Sequence, residues 1–348
     1  MAFHKKPFDV ILTCILSILI LTSVAFGQSN FSSSSSIWPP YLTLKTDRSL
    51  TINWKTADPS LGSIIFSEKS NDKKEIRSSG EKPSLHHHLT LEGLTPGSSY
   101  SYEIVNLNLP QTKNQSITFK MPPKTSSLTS FVISDTQADI IPGLLKTDQT
   151  RQKMLIEAMA KDRFVPDFFI HCGDHVERDS LLEWNDYFQT ISPLASRTPI
   201  FPVMGNHDNM SEYYFEAFSF PNGGGFHGWE WYAFPIKNVL SIFLNTNFRD
   251  LDHISKQINW LKSTLNQYRD KMWKFVFFHH PLYSSSAKYV GGEDALKFLL
   301  EPIFMEHGVD VVFSGHHHAY QRIHRNGIHY VVSAGGGGKF GRLSQKKI

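Results

Sequence analysis

The chain of 348 residues is predicted to fold as an all-β sandwich followed by a layered α/β domain. Three observations predict this. Short alternating strands separated by polar and Pro/Gly clusters occupy the region up to residue 120. Beyond residue 121, apolar runs of four to eight residues alternate with helical patterns. Five of those runs are followed at once by a polar cluster, as expected where strand ends build a site. Composition is ordinary for a globular protein, with 40% apolar and 19% charged residues. A net charge of +3 calls for no nucleic-acid or acidic-membrane partner, so any pull on an anionic substrate must come from local charges.

The N-terminus reads as an export signal. His4, Lys5 and Lys6 precede an apolar run over 10–21, and Ala25-Phe26-Gly27 forms a small-residue cleavage pattern before Gln28. Residues 1–27 are therefore expected to be a signal peptide, which implies a secreted or periplasmic protein. An uncleaved membrane anchor is the alternative, although a span needs about 20 apolar residues. Cys14 lies inside the signal, which leaves Cys172 without a disulfide partner in the mature chain. Cys172 ends the run Phe168-Phe169-Ile170-His171-Cys172 and reads as a buried small hydrophobe rather than a catalytic thiol. Residues 28–37 form a Ser-rich spacer.

The sandwich is assigned to 38–120. Leu50-Thr51-Ile52-Asn53-Trp54 alternates as a strand with one buried face, and Ile64-Ile65-Phe66 and Ile117-Thr118-Phe119 are further short runs. Leu94-Thr95-Pro96-Gly97-Ser98-Ser99-Tyr100 resembles the tyrosine corner of fibronectin type III domains, and Trp54 suits their buried strand tryptophan. His86-His87-His88 cannot all face one side of a strand, so the triplet reads as an exposed strand entry rather than a metal tract. Residues 121–127, with Met121-Pro122-Pro123-Lys124, form the linker, and 128–348 the second domain. Its strands are expected at 131–134, 167–172, 200–204, 240–244, 275–278, 309–313 and 329–333, with helices over 147–161, 255–268 and 294–307. Gly223-Gly224-Gly225-Phe226-His227 is a candidate pocket rim or an ordinary loop.

The five polar clusters are Asp135-Thr136-Gln137, Gly173-Asp174-His175-Val176-Glu177-Arg178, Gly205-Asn206-His207-Asp208, His279-His280-Pro281 and Gly315-His316-His317-His318. They offer carboxylate, amide oxygen and imidazole, the donors that suit Zn, Fe or Mn. Alternation along a strand puts His316 and His318 on one side and His317 on the other.

This order of clusters resembles the calcineurin-like metallophosphoesterases, most nearly the purple acid phosphatase branch, over residues 41–342. The resemblance implies an α/β/β/α layered domain with two metal ions at the C-terminal strand ends. Asp174 would bridge the metals. Asp135, Gln137 and His318 would complete one site, and Asn206, His279 and His316 the other. Glu177 stands where purple enzymes carry an iron-binding Tyr, and Gln137 where many relatives carry His. Lys288 and Tyr289 stand roughly where the purple enzymes have a substrate-facing His pair. Gly-Asp-His-Val-Glu-Arg also resembles the Gly-Asp-x-Val-Asp-Arg segment of Ser/Thr protein phosphatases. By that likeness Glu177 would orient His207, the general acid, and Arg178 would hold a phosphate oxygen. His280, Arg178 and Tyr283 are placed as substrate-binding residues. The implied reaction is hydrolysis of a phosphate ester, most nearly a monoester, by hydroxide bridging two metals about 3.5–4 Å apart. A diesterase, a nucleotide hydrolase and a secreted binding protein on a decayed phosphatase fold are the alternatives.

Overall fold

The computed structural model describes residues 36–70, 74–106, 116–124, 127–140, 147–208, 210–220, 223–287 and 291–344. The expected signal peptide, nearly all of the spacer, and Lys288 and Tyr289 lie outside the described residues.

Seven strands open the fold: β1 (Ser36–Thr46), β2 (Ser49–Ser60), β3 (Gly62–Glu68), β4 (Glu75–Ser78), β5 (Ser84–Leu91), β6 (Ser99–Asn106) and β7 (Ile117–Lys120). They pair into two antiparallel sheets, β1-β2-β5 and β4-β3-β6-β7. Leu50, Ile52 and Trp54 on β2 are buried, but so are the intervening Thr51 and Asn53, so the strand is covered on both faces rather than the one expected. The Tyr100 hydroxyl accepts the Thr95 backbone N–H at 2.8 Å, closing the corner read from the sequence. The histidine triplet departs from its expected exposure. His88 is exposed and His86 is half-buried against Trp38 and Glu216, whereas His87 is buried, with its ring stacked 4.7 Å from Trp54 and its nitrogens bonded to Ser60 and Ser79. Alternation within β5 sends the central residue inward.

The remaining elements are β8 (Ser130–Ile133), β9 (Asp139–Ile140), β10 (Thr147–Asp148), α1 (Thr150–Ala160), β11 (Phe168–His171), α2 (Leu181–Ala195), β12 (Ile200–Pro202), α3 (Glu212–Ala217), β13 (Tyr232–Ile236), β14 (Val239–Phe243), α4 (Leu251–Gln267), β15 (Trp273–Phe277), α5 (Asp294–His307), β16 (Val311–Ser314), β17 (Tyr320–Arg325) and β18 (Ile328–Ser333). β9 and β10 form a short antiparallel pair, and the other strands build two sheets, of which one is parallel, in the order β12-β11-β8. The other is mixed, in the order β13-β14-β15-β16-β18-β17, with β14, β15, β16 and β18 parallel.

The two sheets face each other. Phe243, Phe277 and Phe313 are neighbours in register and stack at 5.1 and 5.2 Å, while Phe201 from β12 stacks on Phe243 at 5.4 Å. The alternate residues Ile242, Val276 and Val312 face the other way. They pack with Leu261 and Leu265 of α4 and Leu300 and Phe304 of α5. On the far side, α2 lies against β11 through Tyr187 and His171. The layers therefore run α/β/β/α. Aromatic anchors join this part to the sandwich: Trp38 stacks on Phe188 at 4.4 Å and donates to Asn185, and the Tyr102 hydroxyl donates to the Ser196 carbonyl. Among the described residues, no helix is long and apolar enough to cross a membrane.

Candidate metal centre

The five polar clusters follow β8, β11, β12, β15 and β16, all parallel strands, so they meet at the C-terminal edges of the two sheets. Backbone hydrogen bonds lace them together. Asp135 N–H donates to the Gly173 carbonyl at 3.0 Å, Thr136 N–H to the Asp174 carbonyl at 3.0 Å, and Gly315 N–H to the His279 carbonyl at 2.9 Å. The close approach needs glycine. A Cβ on Gly173, whose φ is +91°, would lie 2.6 Å from His279 Nδ1, and one on Gly205 would lie 2.2 Å from Asp174 Oδ1. Four of the expected ligands adopt left-handed backbone: Asp135, Asp174, His316 and His318, with φ of 60°, 57°, 67° and 44°. Such conformations cost about 1–3 kcal/mol each and concentrate at functional sites.

Asp174 sits at the centre. Its Oδ2 lies 3.1 Å from His279 Nε2 and 3.2 Å from Gln137 Nε2, and its Oδ1 accepts the His207 N–H at 3.0 Å. Asn206 Oδ1 lies 3.2 Å from His279 Nε2 on one flank. On the other, Asp135 Oδ1 lies 3.3 Å from His318 Nε2, and Gln137 Nε2 lies 3.2 Å from the same nitrogen. The His279 ring stands 5.0 Å from that of His316. The expected ligand residues thus converge on two flanks of one carboxylate. His316 and His318 converge by their two left-handed residues and not by strand alternation, because β16 ends at Ser314.

The donor chemistry fits a pair of cations. Ligand atoms of Asp135, Asp174 and His279 lie within 4.8 Å of one another, and all three residues are fully buried. Burial, opposed by His279, pushes the Asp135 carboxyl up to about 6. Burial also works to raise Asp174, but His279 and the His207 N–H hold it well below the usual carboxylate range. Burial would lower His279, yet Asp174 and Asp135 raise it to about 9. Two buried carboxylates demand positive charge, and a cation held between the same atoms would supply it. Burial followed by the neighbouring His279 pushes His316 down to about 3, which leaves a neutral imidazole, the metal-binding form. Second contacts aim the rings: His279 Nδ1 meets the Cys172 carbonyl at 2.8 Å, and His318 Nδ1 meets the Lys339 carbonyl at 2.5 Å. The buried Gln137 Oε1 has no hydrogen-bond partner. Turning the amide over places that oxygen, a donor to metals, between Asp174 and His318.

An open pocket of about 750 Å³ lies over this centre, lined among others by Gln137, Asp174, Glu177, Asn206, His207, His316 and His318. His207 Nδ1 donates to the backbone carbonyl of Glu177 at 2.8 Å, while the Glu177 carboxylate is 3.9 Å away. Glu177 therefore meets His207 first through its main chain, with its carboxylate as the farther contact. Its side chain is part-exposed at the rim, outside the clustered ligand atoms.

Three expected substrate-binding residues lie elsewhere. Arg178 is exposed and absent from the pocket wall, and its backbone N–H donates to the Glu183 carboxylate at 2.7 Å. Tyr283 donates its hydroxyl to Glu301 at 2.9 Å and packs beside Tyr330. His280 is not on the pocket wall. Its Nδ1 is held by Thr246 Oγ1 at 2.8 Å, its ring lies 4.5 Å from that of His316, and its ligand atom lies within 4.8 Å of those of His279 and His316. The Gly223–Gly225 loop does not rim the pocket either. It folds on Glu230, whose carboxylate accepts the Phe226 N–H.

Two groups of residues escaped the sequence reading. Asn245-Thr246-Asn247 follows β14 as the other clusters follow their strands. Asn247 Nδ2 donates to the Met204 and Gly205 carbonyls at 3.2 and 3.1 Å, fixing the turn that carries Asn206. The same rule, a polar cluster after an apolar run, would have found it. The second group is Lys339, Phe340, Gly341 and Arg342, which wall the pocket from the C-terminal segment.

The calcineurin-like phosphoesterase family matches residues 129–320, more than half of the chain. Purple acid phosphatase 18 of Arabidopsis thaliana is 26% identical over 328 residues, which covers 85% of this chain and 70% of that protein. Purple acid phosphatase 22 of the same plant is 25% identical, over 88% and 74%. Among solved structures, a purple acid phosphatase from yellow lupin (Lupinus luteus) seeds superimposes with a TM-score of 0.73 at 18% identity. The match covers 89% of this chain and 66% of that one. At that identity the likeness speaks for the fold, and it spans both the sandwich and the layered domain. With the family matched across all five clusters, the chain belongs to the calcineurin-like phosphoesterases, hydrolases of phosphate esters.

Proposed function

We propose that the protein is an exported phosphomonoesterase that works with two metal ions. The observation that carries this is Asp174: one buried carboxylate faces His279 and Asn206 on one flank and Gln137, Asp135 and His318 on the other. Bound there, two ions would supply Lewis acidity toward phosphate oxygens and lower the pKa of a water. Asp135, Gln137 and His318 would hold one ion and Asn206, His279 and His316 the other, with Asp174 shared. Zn, Fe and Mn all suit this donor set.

The chain's own residues do the rest. His207 is the general acid. With Nδ1 donating to the Glu177 carbonyl, its Nε2 is the nitrogen that carries the titrating proton toward a leaving oxygen. A monoester is favoured because the pocket is walled on the Lys339–Arg342 side and rimmed by one carboxylate, Glu177. The sandwich, with its corner at Tyr100, is of the fibronectin type III kind.

The test is hydrolysis of an aryl phosphate monoester and the matching diester by the reconstituted mature protein. A monoester preference supports the proposal, and a diester preference overturns it. Export is tested by N-terminal sequencing. A start near Gln28 is expected, and Met1 or Ala2 on membrane-associated protein would show an anchor instead.

A further inference from the structure

The C-terminal segment after β18 is tied at several points to the residues of the centre. Gly338 N–H donates to the Asp135 carbonyl at 2.9 Å, and Gly341 N–H to the His318 carbonyl at 2.7 Å. On its other side, Ala287 N–H donates to the Arg342 carbonyl at 2.8 Å and Ser344 N–H to the Ser285 carbonyl at 2.7 Å. A Cβ on Gly341 would lie 2.9 Å from the His317 carbonyl, so the strap is pressed against the ligand turn. The backbone of Lys339 and Arg342 is therefore fixed beside the centre, and both residues line the pocket. Both residues are exposed, and neither forms an ion pair among the described residues.

Two cations without an ion-pair partner among the described residues thus line the same pocket. His207 and Glu177 line the same pocket, as does Asp174, the carboxylate at the centre of the expected ligands. A cavity of about 750 Å³ is far larger than one phosphate group. The phosphate to be cleaved belongs on the floor, next to Asp174 and His207. Lys339 and Arg342 are then left to face the alcohol part of the substrate. Guanidinium and ammonium groups recognise phosphate by charge-assisted hydrogen bonds, which Arg can make in pairs.

We propose that Lys339 and Arg342 form a subsite for a second anionic group, so that the favoured substrates are phosphate esters whose alcohol part carries another phosphate. This rests on the phosphomonoesterase reading of the same pocket. An exposed cation contributes modestly, and two together should give about a ten-fold preference.

The experiment compares two ligands that cannot be hydrolysed, 1,3-propanebisphosphonate and propylphosphonate, by calorimetry on the metal-loaded protein. Wild type should bind the bisphosphonate about ten-fold more tightly, and Lys339→Ala/Arg342→Ala should reduce that ratio to about two or less. Raised salt should erode the wild-type ratio. A ratio that survives the double substitution, or equal weakening of both ligands, would overturn the subsite. Should wild type fail to hydrolyse aryl phosphate, the phosphomonoesterase reading falls, while the binding ratio still reports on the two cations.

Discussion

The main-chain carbonyl of Glu177 holds His207 Nδ1 at 2.8 Å, and the Glu177 carboxylate stands back at 3.9 Å. Replacing the Glu177 side chain should therefore leave the imidazole in place. His207→Ala should keep its metals and lose about 10²–10⁴-fold of its rate on alkyl phosphates. On aryl phosphates, whose phenolate leaves without a proton, the loss should be much smaller. Glu177→Gln should cost only a few-fold on either. Equal losses on both ester classes in a fully metallated His207→Ala protein would show that another group donates the proton.

Asn247 offers a test of positioning at a distance. Asn247→Ala leaves the buried carbonyls of Met204 and Gly205 without that donor, which should destabilise the fold by about 1–3 kcal/mol in urea. Because those carbonyls immediately precede Asn206, metal affinity should also fall, on the order of ten-fold. Lost stability with unchanged metal affinity would reduce Asn247 to a structural residue.

His87 sets a pH dependence in the sandwich, away from the metals. Burial and then its neighbour His88 push its imidazole from 6.5 down to about 4. The unfolded chain therefore binds the extra proton first as pH falls. The stabilising contribution is present above pH 6.5 and is lost progressively as pH drops from there toward 4. Unfolding stability should fall by on the order of 1 kcal/mol between pH 7 and 5 on account of this group. His87→Gln should flatten that part of the profile, and an unchanged slope would assign it elsewhere.

Much of this architecture was legible because each central strand of the layered domain is buried on both faces and writes a continuous apolar run. All seven expected strands of that domain are present, within two residues at either end. The elements that escaped lack that signature. Helix α2 carries Pro193 and buries Trp184, Tyr187, Phe188 and Ile191, so no clean polar face marks its period. Strand β17 lies at a sheet edge and reads Tyr-Gln-Arg-Ile-His-Arg, with little to bury. The ligand clusters were readable because each follows a strand. The pocket wall at Lys339 and Arg342 was not, because chain folding alone brings it beside Asp135 and His318. Arg178 and Tyr283 misled for the opposite reason: closeness in sequence to a ligand does not aim a side chain.

Colour tests the Glu177 position. A carboxylate there cannot give an iron-tyrosinate charge-transfer band, so the folded protein loaded with iron should lack the purple absorption. A visible band surviving in Glu177→Gln would require a tyrosine ligand from elsewhere in the chain.

The most direct test is elemental analysis of reconstituted wild type beside Asp174→Asn, with circular dichroism to confirm that both are folded. The account predicts two metals per chain in wild type and at most one in Asp174→Asn, because both flanks share that carboxylate. Fewer than one metal per chain in folded wild type, or two in Asp174→Asn, would contradict it.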